Sequence, residues 1–156
     1  MGPGLHCPEE ISGAAYTLGE LIAREGWVVL SGGRDQGVMD AVSRGAKAAG
    51  GTTIGILPAK DSSISEAVDF AIITDINFAR NNINVITSDI VVSCGMGVGT
   101  ASEIGLALSS GKHVVMLHSG EDAFQLFRGL RPLLVHRASS GEEVIQRVKR
   151  FREGAL

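Results

Sequence analysis

Three glycines at alternate positions, Gly95, Gly97 and Gly99, run into Thr100, and Glu103 follows one helical turn later. The apolar run Asp89-Ile90-Val91-Val92 precedes them and an Ala/Leu-rich segment, Ala101 to Ser110, follows with helical spacing. A strand, a glycine turn and a helix in that order aim backbone N–H groups at an anion and set it at the positive end of the helix. Gly95, Gly97, Val98 and Gly99 are the expected backbone contacts, Thr100 adds a hydroxyl donor, and Glu103 stands close to whatever the loop holds. A second turn, Ser31 to Met39, leaves the apolar run Trp27-Val28-Val29-Leu30 and opens a helix from Val38 to Ala49. Gly32, Gly33, Gly37 and Met39 are its candidate ligand-binding residues. Taken singly, that turn is as well explained by tight strand-to-helix geometry. Two such turns on one edge of a parallel sheet favour a bound phosphate, because ligands of α/β sheets sit at the C-terminal ends of strands. Arg80 lies among Asn77, Asn81, Asn82 and Asn84, where it is either part of a solvated helix face or a planar fork for phosphate or carboxylate.

The elements that must position these residues alternate along the chain. Ile11, Ala14, Ala15, Leu18, Leu21 and Ile22 recur at three- and four-residue steps, which predicts a helix from Glu9 to about Arg24, with Pro8 before it and Gly26 after it. Short apolar runs at Thr52–Leu57, Phe70–Ile73, Val114–Leu117 and Leu133–Val135 read as strands. Ala59–Glu66 reads as a loop with a short helix, Ala123–Phe127 as a short helix, and Gly141–Phe151 as a terminal one. Strands alternating with helices predict an α/β, three-layer domain with about five or six mostly parallel strands. No linker divides the chain, so residues 1–156 are expected to form a single domain.

Composition narrows the function classes. A net charge of -3 gives no basic excess for nucleic acid, and no apolar run reaches the length of a membrane span. Two cysteines, Cys7 and Cys94, are too few for a disulfide framework, and no signal peptide precedes them, so the chain reads as cytoplasmic. The four histidines are scattered without ligand spacing, so no metal site and no required cofactor are expected. Cys94 ends a strand and reads as a small core residue, not a nucleophile. A Gly-x-Ser-x-Gly elbow, a Walker lysine and the dinucleotide fingerprint Gly-x-Gly-x-x-Gly are all missing from the sequence.

The two turns, with Ala79-Arg80-Asn81 between them, resemble the Lonely Guy-like superfamily, also called lysine decarboxylase-like, which implies a Rossmann-like nucleotide-binding domain. That group includes cytokinin-activating nucleoside-monophosphate phosphoribohydrolases, molybdenum-cofactor carrier proteins and short bacterial nucleotide-binding proteins, and the short bacterial branch is the best match in length. Its enzymes carry GGGxxGxMG, an Arg-Lys pair and PGGxGTxxE. Gly32, Gly33, Gly37 and Met39 match the first motif while Arg34 replaces its third glycine. Arg80 matches the arginine and Asn81 replaces the lysine. Gly97, Gly99, Thr100 and Glu103 match the third motif, with Gly95 in place of its proline and Met96 in place of its first loop glycine. Relatives begin with a strand before the first helix; only Met1 to Cys7 stands there in this sequence, so the usual first strand is expected to be lacking.

What the resemblance implies is binding, or carriage, of a phosphorylated nucleotide or pterin. The departures at Arg34 and Asn81 set this ahead of the alternative, hydrolysis of the N-glycosidic bond of a nucleoside 5′-monophosphate. In that alternative Glu103 would stabilise the ribosyl centre and Arg80 would orient the substrate. A third reading is a non-catalytic structural homo-oligomer. Self-association is expected in any case, since relatives are typically homodimers and the helices Val38–Ala49 and Ala101–Ser110 are rich in small residues.

Overall fold

The computed structural model describes residues 1–154; the last two residues of the expected domain lie outside it. Helices α1 (Glu9–Arg24) and α2 (Gly37–Ala48) flank β1 (Val29–Ser31), and β2 (Thr53–Leu57) and β3 (Phe70–Ile73) follow. A 3-10 turn at Asn77–Ala79 leads into α3 (Arg80–Thr87). The second half alternates regularly: β4 (Val91–Cys94), α4 (Val98–Ser109), β5 (Val114–Leu117), α5 (Glu121–Leu130), β6 (Val135–Ala138), α6 (Gly141–Arg152). The expected three-layer α/β architecture holds. One apolar layer joins α1, α2 and α6 to Val29, Val115 and Leu117, and the other joins α3, α4 and α5 to Val91, Val114 and Met116. All strand pairs are parallel, and they form two three-stranded sheets, β1-β2-β3 and β4-β5-β6.

Local chemistry accounts for most boundaries. All four side chains of β5 are buried, as a continuous apolar strand between two helix layers must be. β3 is apolar as well, but all its residues are exposed along the outer edge of its sheet. Several elements differ from the sequence reading, among them β1, which spans Val29–Ser31 and not Trp27–Leu30. Leu133 is exposed in a turn opened after Pro132, and the last strand begins two residues later at Val135. The α5 helix starts at Glu121 because Gly120, with φ 77°, turns the chain into it behind two acidic first-turn residues. The helix after the central glycines starts at Val98, where the glycine turn was expected to open it. Residues 59–66 form turns and a single antiparallel bridge between Ile64 and Arg34, and contain no helix.

Helices α1 and α2 touch through bare backbone. A Cβ on Gly45 would strike the carbonyl of Tyr16, and one on Gly19 would strike that of Val42. Gly45 of α2 therefore serves contact with α1 within the chain. Gly45→Ala is expected to lower stability by about 2–3 kcal/mol, because backbone on both sides cannot yield. Denaturant unfolding checks this.

At the opposite ends of the strands, His136 on β6 shares a 3.0 Å hydrogen bond with His113, and Phe151 stacks on the His113 ring at 4.4 Å. Burial, then the neighbouring His113, push the His136 imidazole down from 6.5 to about 4. The unfolded chain takes up that proton near pH 6.5 and the folded one does not, so this contribution to stability is present above pH 6.5 and is lost as pH falls toward 4. The thermal midpoint should fall across that window in wild type, and the fall should flatten in His136→Phe.

Candidate functional site

Both glycine turns leave the C-terminal ends of parallel strands, and both open a helix at its N-terminus. Gly97 caps α4 in extended conformation, with φ -161°, and no side chain caps the helix. The first N–H groups of α4 therefore point out of the turn without intrahelical partners. A Cβ on Gly99 would meet nothing, so the approach to these donors is open. Thr100 is buried, and its Oγ1 has no hydrogen-bond partner in the protein. A buried hydroxyl beside free helix donors is what a bound oxyanion would satisfy.

The opposite wall is built on Arg80, the first residue of α3. Its guanidinium lies across the Cα of Gly32: a Cβ there would come within 2.7 Å of both terminal nitrogens and 2.6 Å of the Met39 sulfur. Gly32 is thus a glycine so that an arginine can lie flat on the turn. Arg80 is 9% exposed, with Nη1 4.0 Å from Oε1 of Glu103, itself 8% exposed. Asn84 Nδ2 donates to the same carboxylate oxygen at 3.1 Å. Burial lowers the Arg80 pKa, Glu103 opposes the shift, and the charge of Arg34 adds to it. An arginine stays protonated under such pressure, so the two guanidiniums face one carboxylate with positive charge in excess.

These residues line one cleft of about 800 Å³, together with Gly32, Arg34, Met39, Arg80, Gly97, Val98, Gly99, Thr100 and Glu103. Gly33, Gly37 and Gly95 do not line it. Each has positive φ and lies tight against neighbouring chain: Gly33 on Gly55, Gly37 on Pro3 and Gly4, Gly95 on Ile11. They shape the turns from behind. Cys94 is buried against Ile11, and burial pushes its thiol up to about 11, as a core cysteine and not a nucleophile.

Two members of the site were not singled out from the sequence. Arg34 figured only as the residue that replaces a motif glycine, yet it reaches the cleft, and its Nε is buried without a partner. Asn84 was one amide among several. Its spacing of four from Arg80 is the signal that would have placed both on one helix face.

Residues 1–145 match the model of the SLOG cluster4 family. Among solved structures, the molybdenum cofactor binding protein of Rippkaea orientalis is 49% identical, with a TM-score of 0.94 over 97% of this chain and 93% of that one. The molybdenum cofactor carrier protein of Chlamydomonas reinhardtii is 45% identical, with a TM-score of 0.94 over 98% and 95%. A cytokinin riboside 5′-monophosphate phosphoribohydrolase of Mycobacterium tuberculosis is 33% identical over 135 residues, 80% of this chain and 70% of that protein.

The contact between Gly32 and Arg80 gives a direct test of the geometry. Only flexible side-chain ends oppose a Cβ at Gly32, so Gly32→Ala should fold with a thermal midpoint within about 3 °C of wild type. A crystal structure of that variant should show the Arg80 guanidinium displaced from the turn.

Proposed function

The chain belongs to the SLOG cluster4 family, within the Lonely Guy-like Rossmann superfamily, and on that premise we propose that it binds and carries a phosphorylated pterin of the molybdenum-cofactor type. One observation carries this reading: a partnerless buried Thr100 hydroxyl stands at an uncapped helix N-terminus, at the end of the cleft where the guanidiniums of Arg34 and Arg80 outweigh the carboxylate of Glu103. A phosphomonoester near charge -2 takes up that excess, places its remaining charge against the helix N-terminus and its free donors, and satisfies Thr100. Arg34, where the enzymes of the superfamily have glycine, supplies the second cation. The fraction of the cleft beyond the turns is apolar enough for a flat ring system, with Met39 and Phe78 on its margin. Nothing in this reading requires a resident cofactor; the pterin is cargo.

Hydrolysis of a nucleoside 5′-monophosphate is the second reading, and the shared position of Glu103 and Arg80 favours it. Against it, Glu103 already accepts from Asn84 and faces Arg80, which lowers its freedom to meet a ribosyl centre, and Asn81 stands where the enzymes place a lysine. Self-association belongs to the same proposal. The exposed apolar edge formed by Phe70, Ile72 and Ile73, continued by Ile76 and Phe78, is a surface that a second copy would cover, whether for carriage or as a purely structural dimer. Among the described residues no helix is long and apolar enough to cross a membrane, and we place the protein's work in the cytoplasm.

Titration with the molybdenum cofactor, and separately with AMP, tests the reading. Saturable cofactor binding is expected, weakened at least about tenfold by Arg80→Ala and by Thr100→Ala, with no adenine released from AMP. Adenine release that Glu103→Gln abolishes would establish the hydrolase instead. Unchanged affinity in both variants would remove the cleft from consideration.

A further inference from the structure

Arg34 is held at the cleft by a segment of chain that does not line it. The connection between β2 and β3 doubles back across the first glycine turn, where Ile64 pairs with Arg34 in a single antiparallel bridge. On one side of Arg34, the Ser65 N–H donates to Gly33 O at 3.0 Å. On the other side, the Ser63 hydroxyl donates to the Asp35 carboxylate. Toward the sheet, Gly33 lies against Gly55 of β2, where a Cβ would come within 2.7 Å of the Gly55 Cα. Both neighbours of Arg34 are therefore fixed, and its side chain leaves a turn that is gripped from two directions.

Ser65 is the hub of this strap. It is 2% exposed, and its hydroxyl donates to Asp40 Oδ1 of α2 at 2.7 Å while accepting from Ala67 N–H at 3.3 Å. Its carbonyl accepts from Val68 N–H at 3.1 Å. Each polar group of Ser65 thus has a partner, and the partners belong to the glycine turn, to α2 and to the approach to β3. Arg34 itself reaches the cleft, and its Nε is buried with no partner among the described residues. Its charge is felt at Arg80, where it adds to the lowering of the pKa that burial begins and Glu103 opposes.

Resting on the ligand assignment above, we propose that Ser65 is a positioning residue, which fixes Arg34 at the cleft and so makes the site select a terminal phosphomonoester, with two charges, over a phosphodiester, with one. Glu103 stands 4.0 Å from Arg80 and offsets its charge, so Arg34 is the cation left over. One charge of the phosphate is met by the α4 N-terminus and the donors around it, and the second is met by Arg34. A diester needs only the first of these. An arginine free to swing into solvent would serve both esters alike, and the strap removes that freedom.

Phenyl phosphate and methyl phenyl phosphate are the probes. Both carry a flat ring and neither has a glycosidic bond; at about pH 8 the first is a dianion and the second a monoanion. Dissociation constants for both are measured with wild type, Arg34→Ala, Ser65→Ala, Asp40→Ala and Asp40→Asn. Wild type should prefer the monoester at least about tenfold, and Arg34→Ala should bring that ratio to about two or less. Ser65→Ala and Asp40→Ala should lower the ratio at least about threefold. Asp40→Asn should keep the wild-type ratio, because it loses the charge but keeps an acceptor for the Ser65 hydroxyl. Added to Arg34→Ala, Ser65→Ala should change nothing further, since it acts only through that arginine. The ratio is read within one protein, so a general loss of stability does not move it, and if Ser65→Ala fails to fold the two Asp40 variants carry the comparison. A wild-type ratio in Ser65→Ala and Asp40→Ala, with the ratio lost in Arg34→Ala, overturns the positioning role and leaves the ligand assignment standing. Equal losses in Asp40→Asn and Asp40→Ala overturn it too, as an effect of charge and not of the strap. An unchanged ratio in Arg34→Ala, or no saturable binding of phenyl phosphate by wild type, removes the ligand assignment and this inference with it.

Discussion

The placement of one buried cation governs the site. Arg80 carries its charge almost out of solvent, and among the described residues it has a 4.0 Å contact with Glu103 and no partner for Nε. Such a group is tolerated when its surroundings are fixed and an anion completes them. The fixing is done by absence of side chain at Gly32, by the carboxylate of Glu103, and by Asn84, which holds that carboxylate from the same helix as Arg80. Each of the three comes from a different strand-helix unit, so the fold must be right before the charge is in place.

Much of this was legible from spacing. The apolar run into Gly95-x-Gly97-x-Gly99 and the Ala/Leu stretch after it located a strand end and a helix start, and the structure puts both there. The order of elements left Arg80 open between a solvated helix face and an anion fork near the central turn, and the family resemblance set it beside Glu103; the structure brings the two within 4.0 Å. What spacing could not convey was the division of labour among glycines. Gly32 and Gly99 open space at the cleft, whereas Gly33, Gly37 and Gly95 serve positive φ and close backbone contact behind it. Those roles differ only in three dimensions. Arg34 was hidden for a related reason, since a substitution within a glycine motif reads as loss until its side chain is seen to reach the cleft.

The first strand illustrates another limit. Gly2-Pro3-Gly4 is a poor strand sequence, and the expectation that the usual first strand is lacking left its structural consequence open. The sheet does not re-pair across the gap. β1 and β4 each keep one bonded edge and one edge facing the cleft, and Met1 alone bridges toward β4. Backbone direction and hydrogen-bond phase, which decide this outcome, are not written in residue types.

That division gives the ligand a mechanical part. Arg34 follows β1 and belongs to one half-sheet, while Thr100 follows β4 and belongs to the other. In the proposed complex, a phosphate gripped by both would span the seam, so that every bond it made on one side would also be a bond between the halves. Under that proposal, holding the ligand and stiffening the protein would be a single event, and by linkage a change that loosens the seam would also loosen the grip.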